Sequence, residues 1–173
     1  MADLAHLKAK IREISGFPTA GVEFKDITPL LEDGAAFREA IDGLVDAFKN
    51  IKIDKVVGID ARGFLLASAA AYLLRAGLVI VRKKGKLPYE KILVDHCLEY
   101  GTGTLEMHVD SIQPGEKILI IDDVLATGGT AEAAARLAEK LGGEIVGLGF
   151  LLELPLGGGE RLKNYKIRSL IKY

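Results

Sequence analysis

Apolar positions repeat along the chain at two periods, and each period predicts a different element. Spacings of three and four predict a helix over residues 3–14 and a second over residues 37–48, with Asp33 placed to cap the second. Between them, residues 16–29 are interrupted by Pro and Gly, which predicts a loop with short extended pieces.

From residue 55 the pattern changes to short runs that are apolar on both faces, each followed by a turn or a helix. These runs are residues 56–59, 78–81, 118–121 and 145–152. Strands buried on both faces are typical of parallel sheets. The sequence therefore predicts an α/β fold in one domain, residues 1–173, with a central, mostly parallel sheet flanked by helices.

Two segments do not fit this alternation. Residues 83–110 are polar, and stretches 91–99 and 104–109 can pair as a hairpin; a flexible flap over a site and an edge hairpin of the sheet are both open interpretations. Residues 157–159 are three consecutive glycines, which we interpret as a flexible connection without a phosphate site.

Charge and composition exclude several classes of protein. Lys and Arg (23) nearly balance Asp and Glu (24), so no bulk positive field attracts nucleic acid. One cysteine allows no internal disulfide, no apolar run is long enough to span a bilayer, and no signal peptide is recognisable. We expect a soluble, cytoplasmic protein with neither nucleic-acid nor membrane partners.

The strongest chemical motif follows the run 118–121. Asp122 and Asp123 come first, and residues 126–130 then read Ala-Thr-Gly-Gly-Thr at the predicted start of a helix. Gly128 and Gly129 let backbone N–H groups approach an anion, while Thr127 and Thr130 add hydroxyl donors. This pattern predicts a phosphate site. An adjacent carboxylate pair suits ribose hydroxyls, a magnesium ion or a developing positive charge on a sugar.

Two further strand ends carry positive charge. Arg62 lies on a tight turn after the first run, where a guanidinium can pair with phosphate oxygens. Arg82, Lys83, Lys84 and Lys86 cluster after the second run. Ligands of open parallel sheets bind at the carboxyl ends of strands, so these groups are candidates for one anion site.

Residues 118–130 resemble the phosphoribosyl-diphosphate motif of type I phosphoribosyltransferases. The resemblance implies that Arg62, Arg82, Lys83 and Lys86 hold a diphosphate, whereas Lys84 is expected to face water. It also implies Mg²⁺ as cofactor, bound mainly through the diphosphate and through water to Asp122 or Asp123, with no metal site formed by the protein alone. It further implies a homodimer.

Residues 17–29 resemble the base-binding segment of the adenine-specific members of this family. The resemblance assigns residues 1–33 to a base-binding hood, with Phe24 stacked on the purine and the backbone around Glu23 and Lys25 contacting its edge. Ala20 and Lys25 depart from the usual Pro and Arg. Ala126 stands where enzymes for 6-oxopurines carry Asp, which disfavours those substrates.

Residues 98–101, Leu-Glu-Tyr-Gly, resemble the flexible-loop motif of the same enzymes. The resemblance makes Glu99 the candidate acid/base and Tyr100 a screen against water, with Asp122, Asp123 and Arg62 completing the catalytic set. The implied reaction is transfer of ribose 5-phosphate from 5-phosphoribosyl 1-diphosphate to adenine, giving AMP and pyrophosphate in purine salvage.

Two alternatives stay open at this point. The first is a phosphoribosyltransferase for another base, such as xanthine or orotate. The second is a nucleotide-binding regulatory protein on the same fold; such proteins usually add a DNA-binding module or a basic face, and this sequence has neither.

Overall fold

The computed structural model describes residues 4–97 and 102–173. Its strands are β1 (Arg12–Ser15), β2 (Glu23–Asp26), β3 (Lys55–Ile59), β4 (Gly77–Lys83), β5 (Lys91–Cys97), β6 (Thr102–His108), β7 (Lys117–Leu125), β8 (Glu144–Glu153) and β9 (Ile167–Lys172). Its helices are α1 (Ala5–Lys8), α2 (Thr28–Glu32), α3 (Gly34–Asp46), α4 (Gly63–Leu74), α5 (Gly129–Lys140) and α6 (Gly158–Arg161). Among the described residues, no helix is long and apolar enough to cross a membrane.

Seven strands form the central sheet, in the order β5-β6-β4-β3-β7-β8-β9. The pairings β4-β3, β3-β7, β7-β8 and β8-β9 are parallel, and only the hairpin β5-β6 runs antiparallel to its neighbours. The predicted mostly parallel α/β sheet is therefore confirmed. Since β3, β4 and β7 are parallel and adjacent, their carboxyl ends meet at one edge of the sheet.

The sheet is buried on both faces because successive side chains of β7 enter different hydrophobic clusters. Leu119 and Ile121 pack with residues of α3 and α4, whereas Ile118 and Ile120 pack with residues of α5. The predicted cap of α3 is also confirmed: the Asp33 carboxylate accepts hydrogen bonds from the first free N–H groups of that helix.

The predicted N-terminal helix is wrong beyond its first turn. Helix α1 ends at Lys8, and residues 12–15 instead pair with β2 in a separate two-stranded antiparallel sheet. Leu7 and Ile11 are both buried although no helix joins them, so the apolar spacing did not separate a helix from a turn followed by a strand. Gly16, at φ +75°, then begins the turn toward β2.

Three further parts of the chain are now placed. The predicted hairpin within residues 83–110 forms at the edge of the sheet. Strand β9 was not predicted and adds the opposite edge. The glycine run 157–159 is not an open connection: Gly158 begins α6, and a methyl group added at Gly128 would lie 3.1 Å from the Gly158 carbonyl oxygen.

Candidate active site

A cavity of about 690 Å³ opens where the carboxyl ends of β3, β4 and β7 meet. Its wall combines the turn after β3, the basic end of β4, the acidic end of β7 and the loop leading into α5. The β5-β6 hairpin closes one side and Phe24 of β2 closes another. The three strand ends that the sequence pattern singled out therefore line one space.

Asp122 and Asp123 lie within β7, not after it as the sequence pattern had predicted. Both line the cavity, and Asp123 is buried, with 6% of its surface exposed. Asp122 Oδ1 accepts the backbone N–H of Asp123 at 2.9 Å. The first residue of α4, Gly63, packs against this carboxylate so closely that a Cβ there would lie 2.5 Å from Asp122 Oδ1.

Burial dominates the electrostatics of this acid pair. Burial raises the pKa of Asp122 well above its ordinary value, and the neighbouring Asp123 carboxylate raises it further. Burial also raises the pKa of Asp123, although the Arg62 guanidinium counteracts this shift. A cation or a hydroxyl donor that enters the cavity would stabilise the charged form of these two neighbouring carboxyl groups.

Arg62 joins the acid pair to the aromatic wall. Its Nε lies 2.7 Å from Asp123 Oδ2, in an orientation that makes an ion contact but no hydrogen bond. Its guanidinium carbon also lies 4.7 Å from the ring centroid of Phe24, which Phe17 contacts edge-on at 5.1 Å. The sequence had predicted only an anion-binding arginine, because neither partner is adjacent to Arg62 in the chain.

Of the three residues predicted in β2, only Phe24 has its side chain among those that line the cavity. Strand side chains alternate between faces, so Glu23 and Lys25 turn the other way. Lys25 Nζ lies 2.6 Å from Glu13 Oε1 and 4.5 Å from the ring centroid of Tyr173. The Lys25 backbone remains close to the site, because its carbonyl accepts Nη1 of Arg62 at 3.4 Å.

Of the four basic residues at the end of β4, two line the cavity and two do not. Lys83, Lys84 and Lys86 are all exposed, and the first two line the cavity whereas Lys86 lies outside the lining. Lys84 therefore faces solvent as expected, but at the mouth of the cavity, and the diphosphate contacts expected of Lys83 and Lys86 stay predictions. Arg82 Nε lies 3.1 Å from Asp60 Oδ2. Burial opposes ionisation of Asp60, but hydrogen bonds from Arg82 and from the Lys83 N–H keep its pKa below the ordinary value.

A buried carboxylate that the sequence analysis did not interpret shapes this basic turn. Glu106 of β6 is 2% exposed and accepts the N–H groups of Gly85 and Leu87 at 2.9 and 3.3 Å. These hydrogen bonds, that of Gly85 first, lower the pKa of Glu106 against the effect of burial. The turn that carries Lys83 and Lys84 is therefore held by backbone contacts to an ionised side chain.

The predicted phosphate loop enters α5 at the floor of the cavity. Ala126 and Thr130 line the space, and Thr127, Gly128 and Gly129 connect them. Gly128 has φ +81°, a conformation that L side chains rarely adopt, and it precedes the twelve-residue helix α5. Ala126 and Thr130 therefore bring the start of α5 to the cavity wall, which is where a helix N-terminus can bind an anion.

His96 and Thr104 of the β5-β6 hairpin also line the cavity, and sequence analysis assigned neither of them to the site. Only their place in the polar segment 83–110 connected them with it. The predicted Glu99 and Tyr100 lie outside the described residues.

Comparison with known proteins places this geometry in a family. The profile of the phosphoribosyl transferase domain matches residues 25–171. The chain is 54% identical to the adenine phosphoribosyltransferase of Alkaliphilus metalliredigens over 169 residues, covering 97% of this chain and 99% of the relative.

Two solved structures are similar throughout. The adenine phosphoribosyltransferase of Rhodothermus marinus superposes with a TM-score of 0.95 at 50% identity, covering 98% of each chain. That of Saccharomyces cerevisiae, solved with an imino-altritol bisphosphate and adenine, superposes with a TM-score of 0.90 at 36% identity, covering 96% of this chain and 97% of the other.

Proposed function

The chain belongs to the phosphoribosyl transferase family, and from this membership we infer that it transfers ribose 5-phosphate from 5-phosphoribosyl 1-diphosphate to adenine, releasing AMP and pyrophosphate. It is thus a glycosyltransferase of purine salvage. One observation carries the assignment to this site: the acid pair, the phosphate loop and Phe24 line a single cavity.

The loop 126–130 is the proposed site of the 5′-phosphate. Its glycines allow close backbone approach, its threonines supply hydroxyl donors, and the N-terminus of α5 favours negative charge. A phosphate fixed there holds the attached ribose over β7. Such positioning lowers the entropic part of the barrier to reaction with the base.

Asp122 and Asp123 are the proposed contacts of the ribose hydroxyls. As the bond to the diphosphate breaks, the sugar develops positive charge, and the buried Asp123 and half-buried Asp122 carboxylates beside it stabilise that charge. Arg62, 2.7 Å from Asp123, opposes the rise in the pKa of Asp123 that burial causes and so favours its charged form. Through its contact with Phe24, Arg62 also fixes the aromatic wall relative to the acid pair.

Lys83 is the proposed contact of the departing diphosphate. Lys84 joins it because both side chains line the cavity, whereas Lys86 and Arg82 contribute through the shape of the basic turn. The Asp60 carboxylate holds Arg82 and the Lys83 backbone at the cavity wall. Positive charge at this position stabilises the oxygen from which the sugar departs.

Magnesium fits this site as a companion of the diphosphate. Among the described residues, no group of three or more His, Cys, Asp or Glu side chains lies together, and Mg²⁺ commonly binds through one or two carboxylates plus substrate phosphates. Asp122 and Asp123 supply such carboxylate oxygens at the cavity wall. When bound, the ion would neutralise charge on the diphosphate.

Phe24 is the proposed stacking partner of adenine, at the end of the cavity where Arg62 supports its ring. Stacking alone discriminates poorly among bases, so the specificity is assigned to the backbone around Glu23 and Lys25 and to the lack of an acid at Ala126. We assign to Glu99 and Tyr100 the acid/base and screening roles that the family resemblance implies.

We further propose that the enzyme acts as a cytoplasmic homodimer through the outer face of α4. Leu65, Tyr72 and Leu73 lie on that helix with 51%, 88% and 49% of their surfaces exposed. Clustered apolar exposure of this kind marks interaction surfaces. Light scattering on the purified protein tests this proposal: twice the chain mass supports it, and the mass of one chain contradicts it.

The function is tested by supplying phosphoribosyl diphosphate, Mg²⁺ and one base at a time, and measuring pyrophosphate and the nucleotide formed. Turnover with adenine and none with hypoxanthine, xanthine or orotate is the expected result. Turnover with another base alone would retain the strand-end chemistry and remove the roles of Phe24 and Ala126. Nucleotide binding without turnover of any base would favour a regulatory protein.

A further inference from the structure

His96 is a buried, polar side chain of the cavity wall that the reaction described above does not use. It lies on β5, is 8% exposed, and lines the same cavity as the acid pair and Lys83. Its Nδ1 has no hydrogen-bond partner among the described residues. A buried polar atom without a partner is costly, so its presence in a cavity wall indicates a partner that enters with the substrate.

The charged neighbours of His96 indicate which part of the substrate this is. Asp95, Arg161 and Lys83 are charged groups near its ring, and the backbone of Gly103 on the paired strand β6 makes a hydrogen bond to the ring. On β6, Gly103 pairs with His96 of β5 and Leu105 pairs with Lys83 of β4, so the hairpin places His96 beside the basic end of β4. His96 therefore belongs to the basic, phosphate-binding side.

The packing of the hairpin supports the same placement. Lys140, at the end of α5, donates to the Leu93 carbonyl at 3.4 Å, and Glu132 in the first turn of α5 pairs with Arg161. Arg161 in turn influences His96. Helix α5, which follows the phosphate loop, thus packs against the strand that carries His96.

We propose that His96 is a substrate-binding residue whose Nδ1 makes a hydrogen bond to the phosphoribosyl part of 5-phosphoribosyl 1-diphosphate. A phosphate oxygen is the partner if Nδ1 carries the hydrogen, and a ribose hydroxyl is the partner if it does not. Either partner arrives with the phosphorylated sugar and not with the base. This inference rests on the proposed function, whose substrate it concerns.

Kinetics of two variants separate this role from a structural one. In His96→Phe the ring remains and the nitrogen is lost, so the KM for phosphoribosyl diphosphate should rise about tenfold, as for loss of a hydrogen bond to a charged ligand. The KM for adenine should change by less than about twofold, because the substitution removes no contact to adenine. His96→Asn carries an amide where Nδ1 stood and should recover most of the loss.

His108→Phe is the matched control. His108 lies on the other strand of the same hairpin, and its Nε2 pairs with the Pro88 carbonyl at 2.7 Å. The same substitution there should leave the KM for phosphoribosyl diphosphate unchanged. An equal rise in both phenylalanine variants would overturn the proposal in favour of general disturbance of the hairpin.

A spectrum of the unmodified protein gives a test that does not depend on folding of any variant. The chain has three histidines, so ¹⁵N-histidine labelling gives signals from three rings only. Addition of phosphoribosyl diphosphate should shift the ring nitrogens of His96, while adenine alone should leave them in place. If calorimetry shows that phosphoribosyl diphosphate binds to saturation and the His96 signals do not shift, the proposal is overturned. If the wild-type enzyme turns over no base, the proposed function is overturned instead.

Discussion

The contact between Gly63 and Asp122 gives a prediction whose magnitude follows from the geometry. In Gly63→Ala the new methyl carbon would lie 2.5 Å from Asp122 Oδ1, 3.2 Å from the Ile121 carbonyl oxygen and 3.3 Å from Asp122 Cα. Ordinary van der Waals contact begins at 3.4 Å, so the methyl group and the carboxylate must separate by about 0.9 Å. Helix α4 cannot supply this movement, because the backbone of β7 already lies close to the new methyl group, and the carboxylate therefore moves. That movement disturbs the hydrogen bond from the Asp123 N–H.

A catalytic group misplaced by about 1 Å can cost about 100-fold in rate. We therefore expect kcat/KM for adenine to fall about 100-fold in Gly63→Ala, measured with the pyrophosphate-coupled assay. The fold should persist, because alanine is the better helix former by about 1 kcal/mol and offsets part of the clash.

Gly34→Ala is the matched control for this variant. Gly34 is likewise the first residue of its helix, α3, but a Cβ there meets nothing within 4 Å. It should retain full activity with no loss of stability. Activity of Gly63→Ala within about threefold of the wild type would refute the claim that the position of Asp122 limits catalysis.

Two further predictions concern Phe24 in the cavity wall and Asp122 in the acid pair. Phe24→Leu should raise the KM for adenine about tenfold, because stacking on an aromatic ring contributes about 1–3 kcal/mol per base. The KM for phosphoribosyl diphosphate should stay nearly unchanged. Equal rises in the two KM values would contradict a stacking role. Asp122→Asn should stabilise the fold at pH 7. The Asp122 carboxyl has a higher pKa in the folded than in the unfolded protein, so folding is favoured while the carboxyl stays protonated. That contribution is lost as the pH rises from the unfolded pKa through the folded pKa, and asparagine, which does not ionise, does not lose it. Urea unfolding at pH 4 and pH 7 checks this: the advantage should shrink at pH 4, and an equal effect at both values would contradict it.

The central sheet could be predicted from sequence because burial leaves a local pattern. Strand β7 is apolar on both faces since α4 and α5 cover it from opposite sides, and its motif is contiguous through Thr130. Strand β9 left no such signal: polar Arg168 and Ser169 interrupt its apolar residues, it lies at the sheet edge, and among the described strands it pairs with β8 alone. Its existence depends on contacts that are distant in the chain.

Side-chain direction within the site could not be predicted for a related reason. Whether Lys25, Lys84 or Lys86 faces the cavity depends on the register of a strand or turn, and a shift of one residue reverses the face. The pairing of β1 with β2 turns Lys25 toward Glu13. Contiguous motifs thus identified the chemistry, while the orientation of single lysines required the fold.

Turnover of adenine by Asp123→Asn is the most direct test of the claim that this strand end carries the transfer. The variant keeps the size of the side chain but removes the carboxylate charge that lies beside Arg62 and that we propose contacts the sugar. Loss of such electrostatic stabilisation should lower kcat about 100- to 1,000-fold, while the unfolding midpoint stays at or above that of the wild type, because a buried charge has been removed. Near-normal turnover by a folded variant would contradict the account.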